Sequence, residues 1–106
     1  MAAPVHKRAS ARRDLVEHYV YLAGNAGIET AERFLVNADK SFGDLSRHPG
    51  MGVALSLRSP GLAGLRKWQV SGFEKMLIFY LPREGGVSIL RVLHAAQDWW
   101  GLLGVL

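Results

Sequence analysis

The fold is decided by the stretch Leu65-Arg66-Lys67-Trp68-Gln69-Val70, Ser71-Gly72-Phe73-Glu74, Lys75-Met76-Leu77-Ile78-Phe79-Tyr80-Leu81, Pro82-Arg83-Glu84-Gly85-Gly86 and Val87-Ser88-Ile89-Leu90-Arg91-Val92-Leu93-His94. Three runs rich in aliphatic, aromatic and β-branched residues are separated by two clusters of turn residues, the pattern of consecutive strands. Connections this short favour antiparallel pairing, so a meander is expected. Side chains alternate across a strand. Arg66, Trp68 and Val70 should therefore oppose Leu65, Lys67 and Gln69, and Met76, Ile78 and Tyr80 should oppose Leu77, Phe79 and Leu81. On the last strand Ile89, Arg91 and Leu93 should oppose Leu90, Val92 and His94.

Upstream, the apolar period changes from two to about 3.6. A loop runs from Pro49-Gly50-Met51-Gly52 to Pro60-Gly61-Leu62-Ala63-Gly64. Before it, Ile28, Ala31, Phe34, Leu35, Ala38, Phe42 and Leu45 keep helical spacing, with Glu29 and Glu32 in front and Arg47 and His48 behind, where they complement the helix dipole. Ala11, Leu15, Tyr19 and Leu22, with Val16, Val20 and Ala23 beside them, mark an earlier helix. Ser10 is its expected N-cap, Asp14 an early negative charge, and Gly24-Asn25-Ala26-Gly27 its closing turn. Two such helices form an αα-hairpin whose apolar face needs a partner layer. Pro4 to Ala9 reads as a short edge strand, and the apolar tail Trp99–Leu106 as a short helical turn docked on the domain or on a partner.

The expected architecture is therefore α+β: a helical hairpin packed on a small antiparallel sheet, in the order β-α-α-β-β-β, as one domain over residues 1–106. Leu15, Tyr19, Phe34 and Phe42 should meet one face. The other face should stay partly open, as a groove carrying some of Arg66, Tyr80, Arg91 and His94.

Composition narrows the function classes. A chain of 106 residues, 49% hydrophobic and 21% charged, is too apolar for a disordered tail and long enough for one core. The absence of cysteine removes disulfide scaffolds, thiolate zinc sites and thiol catalysis. No apolar run approaches the roughly 20 residues of a membrane span, and Met1–Arg8 lacks the hydrophobic stretch of a secretory signal. A cytoplasmic location without membrane contact is expected. The net charge of +4 is unevenly spread. Residues 1–13 hold Lys7, Arg8, Arg12 and Arg13 without an acid, residues 14–48 are acidic, and residues 49–106 are basic. The basic C-terminal half suits an acidic partner, either nucleic acid or a negatively charged protein segment, but equally a merely solubilising surface charge, and charge alone does not decide between them.

Individual side chains suggest chemistry without fixing it. Arg66 suits bidentate phosphate binding or an ion pair with Glu74 or Glu84. His94 suits general acid–base work or a structural role. Tyr80 suits base stacking or the core edge, and Trp99-Trp100 a partner hot spot or a cap on the core. No Ser-His-Asp spacing, metal-ligand pair or phosphate loop occurs, so neither metal nor cofactor is expected. No reaction follows from these residues alone.

A resemblance adds to this reading. Ala11-Arg12-Arg13-Asp14-Leu15 and Tyr19-Val20-Tyr21-Leu22-Ala23, then Ala31-Glu32-Arg33-Phe34-Leu35, Phe42-Gly43-Asp44-Leu45 and His48-Pro49-Gly50-Met51-Gly52 are one part of it. Gly64-Leu65-Arg66-Lys67-Trp68, Leu77-Ile78-Phe79-Tyr80 and Leu90-Arg91-Val92-Leu93-His94 are the other. In order and spacing, over about residues 5 to 98, they resemble the RelE/ParE superfamily of type II toxins, and within it the ParE-like branch.

That resemblance implies a toxin neutralised by a cognate antitoxin, whose acidic or amphipathic segment wraps it along the sheet and hairpin. ParE-like members inhibit DNA gyrase and so block replication. RelE-like members cut messenger RNA on the ribosome, a role that would make Arg66, Tyr80 and His94 catalytic. Arg66, Trp68, Arg83, Arg91, Trp99 and Trp100 are the implied antitoxin- or target-binding set. Toxin dimerisation in the complex is left open. Leu93-His94-Ala95-Ala96-Gln97-Asp98 stands against the family's His-Gly-Ala-Arg-Asp, so Gln97 takes an arginine's place, and an inactive family member is the third reading.

Overall fold

The computed structural model describes residues 4–57 and 59–104. Met1–Ala3, Arg58 and the last two tail residues, Val105 and Leu106, lie outside the described residues. The elements are β1 (Val5–Lys7), α1 (Ala9–Ala26), α2 (Ile28–Arg47), β2 (Val53–Ala54), a 3-10 turn (Pro60–Leu62), β3 (Arg66–Val70), β4 (Phe73–Arg83), β5 (Gly86–His94) and α3 (Trp99–Leu102). The sheet order is β1-β5-β4-β3-β2. The meander β3-β4-β5 is antiparallel as expected, while β1 runs parallel to β5, which makes the whole sheet mixed. β2, read from the sequence as loop, adds two residues at the far edge opposite Arg66 and Lys67.

The helices form the expected hairpin with a tighter joint. Gly24-Asn25-Ala26 stays helical, and only Gly27 breaks the run, at φ 96° and ψ 154°. That region of backbone space is almost closed to residues with a Cβ. α2 turns Phe34, Ala38, Phe42 and Leu45 inward, and α1 adds Ala11 and Leu15. They pack on Val70, Ile78, Tyr80, Val87, Ile89 and Val92 from the sheet. Tyr19 is only half-buried, and Val16, Val20 and Tyr21 face outward, so the inward stripe of α1 is narrower than its spacing suggested.

The opposite face of the sheet is not open. Phe79, Leu90 and Leu93 form a second, smaller core with Leu62 and Leu65, and Leu55, Leu57, Leu77, Leu81, Trp99 and Leu103 pack around it. The leucine-rich loop between β2 and β3, together with α3, shields apolar side chains that would otherwise meet water. Among the described residues, the expected groove is replaced on this face by that layer, which leaves a cleft of about 290 Å³ beside Arg91 and brings none of Arg66, Tyr80 and His94 to it.

Strand parity holds on β3 and β4 but fails on β5. Phe79 pairs with Arg91 and Tyr80 with Ile89, so Leu90 is an extra residue. This bulge puts Ile89 and Val92 on the helical face and Leu90 and Leu93 on the other. Pro82 sits in β4 beyond its last pairing with β3, where no neighbour needs an N–H.

Candidate functional site

β1 ends at Lys7, opposite Ile89, which leaves the rest of the β5 edge without a strand partner. Unpaired backbone groups at a half-buried edge must find other partners. The chain answers with side chains of α1. After Arg8 N donates to Ile89 O at 3.0 Å, Ser10 Oγ donates to Leu90 O at 2.9 Å. Asp14 Oδ2 then accepts from Val92 N at 2.9 Å, and His18 Nε2 donates to Val92 O at 2.7 Å. Positions 10, 14 and 18 fall one turn apart on one helix flank, so α1 continues the edge that β1 leaves. Ser10 is therefore not the N-cap; Arg8 holds that place, and no acid lies in the first turn.

The bulge directs Arg91 into the same seam. Its Nε and Nη2 donate to the two carboxylate oxygens of Asp14 at 2.7 and 2.8 Å. Its Nη1 donates to Leu102 O at 3.0 Å. The hydrogen bonds that Arg91 donates to buried Asp14 raise the guanidinium pKa above its usual value; burial opposes this, and the charges of Asp14 and Glu17 assist it. Arg91 thus joins α1, β5 and α3, and most of its donors are used internally.

Tyr80 is fully buried. Its hydroxyl donates to Pro49 O at 2.7 Å and accepts from Gly52 N at 2.8 Å. Burial pushes its pKa up, against the opposing pull of the Gly52 N–H and the Arg66 charge. Arg66 Nη1 donates to Gly52 O at 2.6 Å and to Gly50 O at 3.3 Å. Both side chains therefore fasten the loop after α2 onto β3 and β4. Gly52 is needed there, since a Cβ would lie 2.5 Å from the Tyr80 hydroxyl oxygen and 2.9 Å from Lys67 O.

His94 lies at the other end of the sheet. It pairs with Met76, whereas Arg66 pairs with Tyr80. Four residues of β4 separate the two levels, ~13 Å along the strand, and two strand spacings add ~10 Å across it. Arg66, Tyr80 and His94 do not converge. Ala96 N donates to His94 Nδ1 at 3.0 Å, and His94 N donates to Gln97 Oε1 at 2.6 Å. His94 borders two adjoining clefts between α1 and the end of the sheet, of about 410 and 380 Å³.

The remaining expected contact residues are scattered. Trp68 packs half-buried against the helical-side core. Arg83 is exposed and donates from Nη1 to Ser88 Oγ at 3.1 Å. Trp99 stacks between Phe79 and Trp100, with ring centroids 5.4 and 4.1 Å away, and Lys67 Nζ sits 5.6 Å from its ring centre. Trp100 is the outermost member, 37% exposed. Ser10, Asp14, His18 and Gly52 were not singled out from the sequence as site residues. The polar residues Ser10, Asp14 and His18, spaced one turn apart along the helix, were the available signal.

Among the described residues, no group of three or more His, Asp or Glu is arranged to hold a metal ion, and no helix is long and apolar enough to cross a membrane. The family model for the ParE toxin of the type II toxin-antitoxin system, parDE, matches residues 5–99. A solved structure of the chromosomal ParDE TA system from P. aeruginosa is similar at a TM-score of 0.69 and 16% sequence identity, over 88% of this chain and 96% of that one. That likeness concerns the fold. No curated protein matches the chain.

Proposed function

Because the chain belongs to the ParE toxin family of type II toxin-antitoxin systems, we propose that it disables DNA gyrase by binding it, without cutting nucleic acid, and that a cognate antitoxin neutralises it. One observation carries the choice over ribonuclease action. Cleavage through a ribose 2′-hydroxyl needs a base, an acid and a cation within reach of one phosphate. Tyr80 is sealed with both hydrogen-bonding roles filled, and Arg66 and His94 lie at opposite ends of the sheet. What the surface offers instead is binding chemistry: the exposed indole of Trp100, the Arg83 side chain, and the clefts beside α1.

The test is induced expression of this chain alone, with plasmid supercoiling and transcript integrity followed in parallel. Relaxed plasmid with intact transcripts is expected, and co-expression of the antitoxin should restore growth. Fragmented transcripts before any change in supercoiling would overturn the reading in favour of a ribonuclease. An absence of any growth defect would favour an inactive member.

A further inference from the structure

The cleft of about 380 Å³ between α1 and the turn after β5 is lined by Glu17, His18, Tyr21, Met76, His94 and Gln97. Its hydrogen-bonding character is set by contacts within its own wall. Ala96 N–H donates to His94 Nδ1, so that nitrogen carries no proton and the ring's N–H is at Nε2. Gln97 Oε1 is occupied by His94 N–H, which leaves the amide NH2 as the free end of that side chain. These two donors share the lining of the cleft with one carboxylate, Glu17, which has no ion pair or hydrogen bond among the described residues. Met76 adds an apolar side chain to the same lining.

We infer that this cleft receives a neutral amide carried next to a bulky apolar side chain on the antitoxin segment, an Asn or Gln, and discriminates against a carboxylate. An amide carbonyl accepts from His94 Nε2 and Gln97 Nε2, and its NH2 donates to Glu17. A carboxylate has no hydrogen to offer Glu17 and meets its charge at close range, a juxtaposition that is unfavourable in a partly enclosed site. Gln97 is then the specificity-determining residue. An arginine there would neutralise Glu17 and admit an acid; glutamine does neither. The adjoining cleft shares Tyr21, Met76 and His94, which lets an extended segment continue past the anchor. The inference rests on the chain being a toxin with an antitoxin, and not on gyrase being the target.

An isosteric pair of probes tests it: 4-phenylbutanamide and 4-phenylbutanoate, titrated into the isotope-labelled full chain and followed by two-dimensional NMR. The amide is expected to shift the resonances of Tyr21, Met76 and Gln97 and to bind at least ten-fold more tightly than the carboxylate. Glu17→Gln should narrow that ratio, and Gln97→Arg should reverse it; both residues are exposed, so an undisturbed spectrum elsewhere confirms the fold. Equal binding, a carboxylate preference in the unaltered chain, or shifts absent from these residues would overturn the inference. The antitoxin that restores growth in the expression experiment should displace the amide; simultaneous binding of both would overturn the assigned occupant. None of these readings depends on supercoiling, so failure of gyrase inhibition leaves them interpretable.

Discussion

Tyr80 brings its hydroxyl into the protein interior to satisfy two backbone groups at once, and replacing it separates stability from toxicity. Tyr80→Phe leaves Pro49 O and Gly52 N without their partner, a loss of about 1–3 kcal/mol. Chemical denaturation should show a lower midpoint at unchanged slope, while the variant remains toxic on expression. An unchanged midpoint would mean the hydroxyl does not hold the loop. The same residue predicts an alkaline effect. Burial raises its folded pKa, so above pH ~10 the unfolded chain releases a proton that the folded chain keeps. The unfolded state then binds fewer protons, and stability falls as pH rises. The gap between the unaltered chain and Tyr80→Phe should therefore narrow above pH ~10 and stay constant below. At this scale the sequence was a poor guide. A tyrosine opposite an arginine reads equally as a catalytic pair or as a loop fastener, and only the position of the Pro49–Gly52 backbone decides between them.

At the scale of elements, α1 does the work of a missing strand. Asp14 is the middle link, joined to Val92 N and to Arg91 together. Asp14→Ala removes one partner of a largely buried ion pair and should cost about 3–5 kcal/mol. The coupling should appear in a double-mutant cycle with Arg91→Ala, the double variant losing clearly less than the sum of the two single losses. Hydrogen exchange at the Val92 amide should accelerate more than at Ile78 in the adjacent strand; uniform acceleration would deny the edge role. Gly27→Ala tests the joint between α1 and α2, with an expected loss of about 1–3 kcal/mol from the backbone angle alone. The helices and the meander were legible because their apolar periods differ and turn residues divide them. The bulge was not. Leu90-Arg91-Val92-Leu93 is apolar on both sides of the arginine, so a one-residue slip leaves no mark on the pattern, yet it decides whether Arg91 faces a partner or Asp14.

Across the whole molecule, two cores share one sheet, and they differ in what holds their outer layers. The helical side is closed by thirty-eight residues of α-helix in α1 and α2. The other side is closed by a leucine-rich loop and the four residues of α3, tied down by Arg91 through Leu102 O and by the stack of Trp99 on Phe79. Trp99→Ala removes that stack and opens the smaller core, a loss of about 3 kcal/mol. Dye binding to newly exposed apolar surface should increase, and protection from hydrogen exchange should fall at Phe79 and Leu93 before it falls at Ile78 and Val92. Trp100→Ala is the matched control, because its ring lies outside Trp99 and contributes a single aromatic contact, worth about 1 kcal/mol. If the tryptophan pair anchors the cellular target, Trp100→Ala should fold almost normally, still bind the antitoxin, and lose toxicity. If it retains full toxicity while Trp99→Ala loses both stability and toxicity, the pair serves only to seal the second core, and the contact surface for the target must be sought elsewhere, beginning with Arg83 at the far end of β4.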